Sequence, residues 1–154
     1  MRKLLFIFTL IALVLTACAA GVASGSQTEI SQNKDKWHDS NISHYRYELF
    51  ISCFCVFTED MPLLIDVQDG KVVSMEFQSG KEIDPALKAD LFDKYATIDR
   101  IFAELDADLN GAADVVTAKY DETYGFPTEV TIDFVQEATD DELYLTLSDF
   151  EALP

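Results

Sequence analysis

Basic side chains are scarce: 11 Lys and Arg stand against 28 Asp and Glu in 154 residues, a formal net charge of −17. A chain this acidic is repelled by phosphate backbones and anionic lipid surfaces. Nucleic acid is therefore not an expected partner, and charge is not an expected means of membrane attachment. Histidine is limited to His38 and His44, and neither has nearby the partners that a catalytic triad requires, so both read as surface residues. No nucleophile elbow, no phosphate-cradling glycine loop and no His-Glu-x-x-His occurs, which leaves those chemistries without a signature. No internal repeat is visible, and the length leaves no room for a second domain.

What is present begins with Arg2 and Lys3, followed by an apolar-dominated run from Leu4 to Leu15 that ends in Leu15-Thr16-Ala17-Cys18. A positive segment, an apolar segment and a cysteine where small residues begin together resemble a bacterial lipoprotein signal. The resemblance implies that residues 1–17 are a signal peptide and that Cys18 becomes the N-terminus of a lipoprotein. Its thiol would carry a diacylglyceryl group and its amine an acyl chain such as palmitate, which together form a membrane anchor. The competing reading is a transmembrane helix, because Leu4 to Ala23 carries no charge over a length that can span a bilayer. Its second half, mostly Ala and Gly, is weakly apolar, and no basic cluster follows. Ala19, not aspartate, follows Cys18; this favours the outer membrane where the envelope has two, and otherwise the outer face of the plasma membrane.

Without residues 1–17 the chain has 137 residues and 9 basic against 28 acidic side chains, a net −19. That is enough for one domain with a substantial core, and the aromatic fraction of 12% argues against disorder. Residues 18–36 read as a flexible tether rich in Gly, Ser, Gln and Asn, with room for a short helix between Asn33 and Ser40. Residues 37–154 form the expected domain.

From Ser43 to Phe57 apolar residues alternate, which predicts a long strand. Leu63 to Val67 and Val72 to Phe77, joined at Asp69-Gly70, predict a hairpin. Asp84-Pro85 opens a short helix, and Thr97 caps a second in which Ile98, Ile101, Phe102, Leu105 and Leu109 form one stripe that Asn110-Gly111 ends. Val115 to Tyr120, Thr128 to Val135 and Leu143 to Leu147 are further strands. This order predicts an α+β fold: a mostly antiparallel sheet of about five or six strands with one or two helices on one face.

Three groups of residues bear on chemistry. Cys53-Phe54-Cys55 would place two Cα atoms about 6.6 Å apart in an ideal strand, near the upper limit for a disulfide, so bonding them needs a bend or bulge. A structural disulfide, two buried thiols, and redox or metal work are the three readings. Asp106, Asp108, Asn110, Ala112 and Asp114, with Gly111 at position six, match the first half of a calcium loop, which would make a weak calcium ion the one cofactor to expect. Thr117 stands where the bidentate glutamate belongs, and the alternative is a helix cap followed by a soluble turn. Tyr120, Tyr124 and Phe126 either line a ligand groove or belong to the core.

Trp37, Tyr45-x-Tyr47, Cys53-x-Cys55, Val67-Gln68-Asp69-Gly70, Thr97-Ile98-Asp99-x-x-Phe102, Tyr120-Asp121, Tyr124-Gly125-Phe126-Pro127 and Ile132-Asp133 together resemble the domain of unknown function 6174 family. The resemblance covers roughly Trp37 to Phe150. It implies exported or lipid-anchored bacterial proteins without an established activity, a single α+β domain, and a paired role for the two cysteines. It supplies no catalytic residue. The expectation is a lipid-anchored cell-envelope protein, a non-enzymatic binding or structural module for an unknown envelope protein or small ligand. A hydrolase or redox enzyme with a site assembled in space is the alternative.

Overall fold

The structure, a computed structural model, describes residues 26–154. The expectations for residues 1–17 and Cys18 lie outside the described residues. Helix α1 spans Gln27–Asp39, strand β1 His44–Ser52, β2 Leu63–Gln68 and β3 Lys71–Phe77. Helices α2, Pro85–Asp90, and α3, Ile98–Ala107, follow, and then β4 at Val115–Tyr120, β5 at Pro127–Asp133 and β6 at Glu142–Ala152. The strands form one antiparallel sheet in the order β3-β2-β1-β6-β5-β4. Two three-stranded meanders thus meet at the β1–β6 ladder, and the chain crosses from one edge to the other through α2 and α3. The fold is the α+β class expected from a run of strands, then helices, then strands.

Alternation decides which face is buried. Tyr45, Tyr47, Leu49 and Ile51 of β1, Leu63, Ile65 and Val67 of β2, Val130 and Ile132 of β5, and Leu143, Leu145 and Leu147 of β6 all point into one core. From the helices, Ile98, Ile101, Phe102 and Leu105 of α3 complete it, with Ile30 and Trp37 of α1. These four α3 positions follow the helical repeat, so a single stripe faces the sheet. The Thr97 side chain caps α3 by accepting the Arg100 N–H, and the Asp84 carboxylate does the same for Ala86 and Leu87 at α2.

The expected tether over residues 18–36 is corrected at its second half. Gln27 to Lys36 is helical, and the domain therefore includes α1 and starts before Trp37. The physical reasons are a cap and two anchors. Ser26 accepts the Glu29 N–H at 3.1 Å, and Ile30 and Trp37, seven residues apart on one helix face, are both buried. Trp37 meets Tyr45, Phe126 and Phe150 edge-on, with ring centroids 5.2, 6.2 and 6.0 Å away.

Gly125 lets α1 lie close. Its φ is +82°, and a Cβ there would stand 2.6 Å from the Asn33 carbonyl oxygen and 3.0 Å from Lys36 Cβ. Gly125→Ala combines left-handed strain with a backbone clash, so we expect a loss of roughly 2–4 kcal/mol. Urea denaturation checks this: the midpoint falls while the slope stays constant.

Candidate functional site

The expected strand over Ser43–Phe57 ends early. β1 stops at Ser52, and Cys53 and Cys55 lie in a bend just beyond it, joined by a disulfide. Their Cα atoms are 5.1 Å apart, closer than an extended strand allows, and the Cys55 N–H donates to the Cys53 carbonyl at 2.7 Å. Of the three readings for this pair, the disulfide holds. The tight turn forces Phe54, between the two cysteines, outward, where it is 87% exposed, while Val56 beyond them is 99% exposed. Phe57 turns back into the core against Phe92.

The calcium-loop residues do not surround one point. Helix α3 continues through a wider turn at Asp108–Ala112 in which Gly111 takes φ +116°. Asp106 accepts from the Gln27 side chain at 2.6 Å and pairs with Lys34 at 3.7 Å. Asn110 donates to the Asp106 carbonyl at 2.6 Å, and Asp114 accepts the Gln136 N–H at 3.0 Å. Ala112 is the last residue of the wider turn. Asp108 faces inward instead, 5% exposed, with Oδ2 unpartnered. Among the described residues no three His, Cys, Asp or Glu side chains gather as a metal site. The carboxylates of the expected ion cradle are drawn instead to helix α1, to a backbone amide and to the interior.

Phe126 belongs to the core, and Tyr120 and Tyr124 pack against it. Phe126 is buried with its ring 4.5 Å from Phe150, Tyr124 lies 5.6 Å from the same ring, and Tyr120 stacks on Phe102 at 6.3 Å. Burial pushes the Tyr120 hydroxyl above its ordinary range, with Glu29 and Asp106 adding to the effect. Tyr45, whose hydroxyl accepts the Ile98 N–H at 3.2 Å, is pushed up to about 12 mainly by burial.

The feature that sequence reasoning missed is the uncovered face of the sheet. Across β3, β2, β1 and β6 the register places Ser74 beside Asp66, Asp66 beside Arg46, and Arg46 beside Glu151. A second row runs from Glu76 through Leu64 and Glu48 to Ser148. These rows enclose a depression of about 660 Å³ that also takes in Asp149 and Phe150. Its one cation, Arg46, donates from Nε to Glu151 at 2.8 Å, while Glu48, Asp66, Glu76 and Asp149 leave the surface acidic. His44 stands 3.2 Å from Asp66. Among the described residues no hydroxyl or thiol is hydrogen-bonded to either histidine ring, since His38 instead pairs with Asp99 at 2.8 Å.

The bulge where Arg46 and Glu48 face β6 creates this arrangement. Three steps along β6, from Glu151 to Ser148, oppose two along β1, and Asp149 takes φ +50°. The extra residue reverses the alternation. Phe150 consequently joins the core-side aromatic rings, and Glu151 faces Arg46 on the open side.

A second carboxylate group stands at the far end of β4, β5 and β6. The Asp114 N–H donates to the Asp133 carbonyl at 3.0 Å, Asp141 accepts the Val135 N–H at 2.7 Å, and one carboxylate oxygen each of Asp133 and Asp141 is buried without a partner. Loss of hydration, then Asp141, Glu142 and Asp114, push the Asp133 carboxyl upward, against the Val135 N–H, which holds it down.

A comparison with known families, curated proteins and solved structures gives one finding: a family described as a family of unknown function (DUF6174) matches residues 29–152. No curated protein and no solved structure matches.

Asp108 yields a pH prediction. Burial first, and then Glu104, raise its pKa, against a lowering by Lys94. A carboxyl with a higher pKa folded than unfolded binds its proton more tightly in the native state. Its penalty is absent at pH below the unfolded pKa and grows as pH rises toward the folded one. In Asp108→Asn, the melting temperature relative to the parent protein should therefore be more favourable at pH 7 than at pH 3. Thermal melts of both proteins across that range measure the difference.

Proposed function

Because this chain belongs to a family of unknown function (DUF6174), its own geometry has to supply the reading, and we propose that it is a lipid-anchored binding module of the bacterial cell envelope whose open sheet face receives a cationic partner. The observation that carries this is the depression of about 660 Å³ across β3, β2, β1 and β6. Five carboxylates, Glu48, Asp66, Glu76, Asp149 and Glu151, line it against the single guanidinium of Arg46. It is shallow and open, with Leu64 as an apolar floor. A surface of this kind favours Lys or Arg side chains laid across a sheet, and electrostatic complementarity mainly sets encounter rate and selectivity. The opposite sheet face is occupied by helices, so the uncovered one is where a partner of the envelope docks. The attachment itself is assigned to acyl chains on Cys18, since buried acyl chains and not charge hold an acidic protein to a bilayer.

Anchoring has its own test. Cys18→Ala should block lipoprotein-type processing, shift the mature mass and move the protein out of the membrane fraction. Unchanged mass and fractionation would reject the anchor.

Partner chemistry is tested by adding a tetralysine peptide and following amide resonances. Shifts should concentrate on Arg46, Glu48, Asp66, Ser74 and Glu76 and shrink as salt rises. Glu48→Gln with Glu76→Gln should weaken binding several-fold. Shifts spread over α3, or unaffected by both substitutions, would refute the docking face.

A further inference from the structure

Most large apolar side chains that the described residues expose are gathered at one end of the molecule. Phe50, Phe54, Val56, Val73, Val135 and Tyr144 are the six. Phe54 and Val56 follow the C-terminal end of β1, and Phe50 lies two residues before that end. Tyr144 is paired with Ser52, the last residue of β1. Val135 follows the end of β5, where Asp133 pairs with Glu142 at the start of β6. Only Val73, near the Asp69-Gly70 turn of β3, lies toward the other end.

The described chain also begins at this end. Gln27, next to Ser26, donates to Asp106 in the last turn of α3 at 2.6 Å. From there the chain turns at Gly111 and reaches Asp114, whose N–H donates to the Asp133 carbonyl. The antiparallel register places Asp133 at the same end of the sheet as Ser52. Eight peptide steps separate Ser26 from Cys18, and a chain of that length reaches at most about 29 Å even when fully extended. A lipid on Cys18 therefore holds this end of the domain close to the bilayer.

We propose that the disulfide-closed loop at Cys53–Cys55 is a membrane-contacting tip, with Phe54 and Val56 entering the bilayer interface beneath the anchored domain. This rests on the lipidation of Cys18. A disulfide across one intervening residue holds Phe54 outward, so little loop entropy is lost when it inserts. Tyr suits the boundary between headgroups and acyl chains, and Phe its apolar side. The nearby carboxylates Asp133, Asp141 and Glu142 oppose an anionic surface, and so the tip fits zwitterionic lipid. The lipid and the tip together fix which side of the domain faces the membrane, leaving the acidic sheet face directed along or away from it.

The test places a reporter at the tip of the full lipidated protein. Phe54→Trp and, as a control, Val73→Trp are each reconstituted into phosphatidylcholine vesicles with and without bromine on the acyl chains. Emission of the parent protein, from Trp37, is subtracted. Trp at position 54 should lose the larger part of its emission in brominated vesicles and shift to the blue relative to detergent, while Trp at position 73 should be unaffected. Protein that floats with the vesicles but shows equal, unquenched emission at both positions overturns the tip and leaves the anchor standing. Protein that does not float overturns the anchor and the tip together.

Discussion

One constraint governs this molecule: a six-stranded sheet with a single apolar face has to be covered, and a chain of this size has only three helices in its described part to cover it. The sheet alternates so that β1 alone directs Tyr45, Tyr47, Leu49 and Ile51 to the same side. An aliphatic residue of this kind gains roughly 1.5–3 kcal/mol on burial, and the stripe on α3 lies in the same core. α1 seals the remainder through Ile30 and Trp37. The crossing from β3 to β4 on opposite edges follows from this need. The chain must traverse the apolar face to begin its second meander, and it does so as helices because a buried crossing must satisfy its own backbone groups.

The uncovered face follows a different electrostatic rule. Charge is distributed by side of the sheet: the core-facing rows are apolar, while Glu48, Asp66, Glu76 and Glu151 sit on the outer rows. The buried polar groups are largely tyrosines, which enter a core by burying their rings and spending their hydroxyls on backbone partners. Tyr47 donates to the Tyr95 carbonyl at 3.2 Å, and Tyr45 serves the first turn of α3. These bonds tie the middle strand of the sheet to the N-terminus of the covering helix and fix the register between the two layers.

Much of this was legible in the sequence, and what was not has identifiable causes. Alternation found β1, and the Asp69-Gly70 turn found the hairpin, because both central residues take positive φ there. β1 follows its alternation through Ser52, but Cys53, Cys55 and Phe57 continue the same parity in a backbone that is no longer extended. Parity survives a tight turn, and periodicity therefore overran the strand. The alternation of β6 stops short for the converse reason: the bulge at Asp149 breaks it after Leu147 while the ladder continues to Ala152. The short helix expected between Asn33 and Ser40 overlaps the end of α1. The first half of α1 falls in the expected tether because the helix has only two buried residues, although the Ser26-x-x-Glu29 spacing of a capping box is a signal for its start. The candidate sites fared less well. The acidic loop has calcium-loop spacing, but spacing cannot say that Asp108 turns inward. The acidic depression is assembled from four strands and has no contiguous signature at all.

The position of β6 has a consequence for biogenesis. It comes last in sequence among the six described strands and yet lies in the middle of the sheet, between β1 and β5. While the chain is being made, β1–β3 and β4–β5 can form only as separate hairpin-like pieces, and neither has its central neighbour until residues 142–152 emerge. Sheet closure is thus a late, long-range event that brings β1 together with a segment about a hundred residues downstream, the kind of contact that slows folding. Such a chain stays open and threadable until residues 142–152 have been made, because no earlier strand can take the place of β6 between β1 and β5.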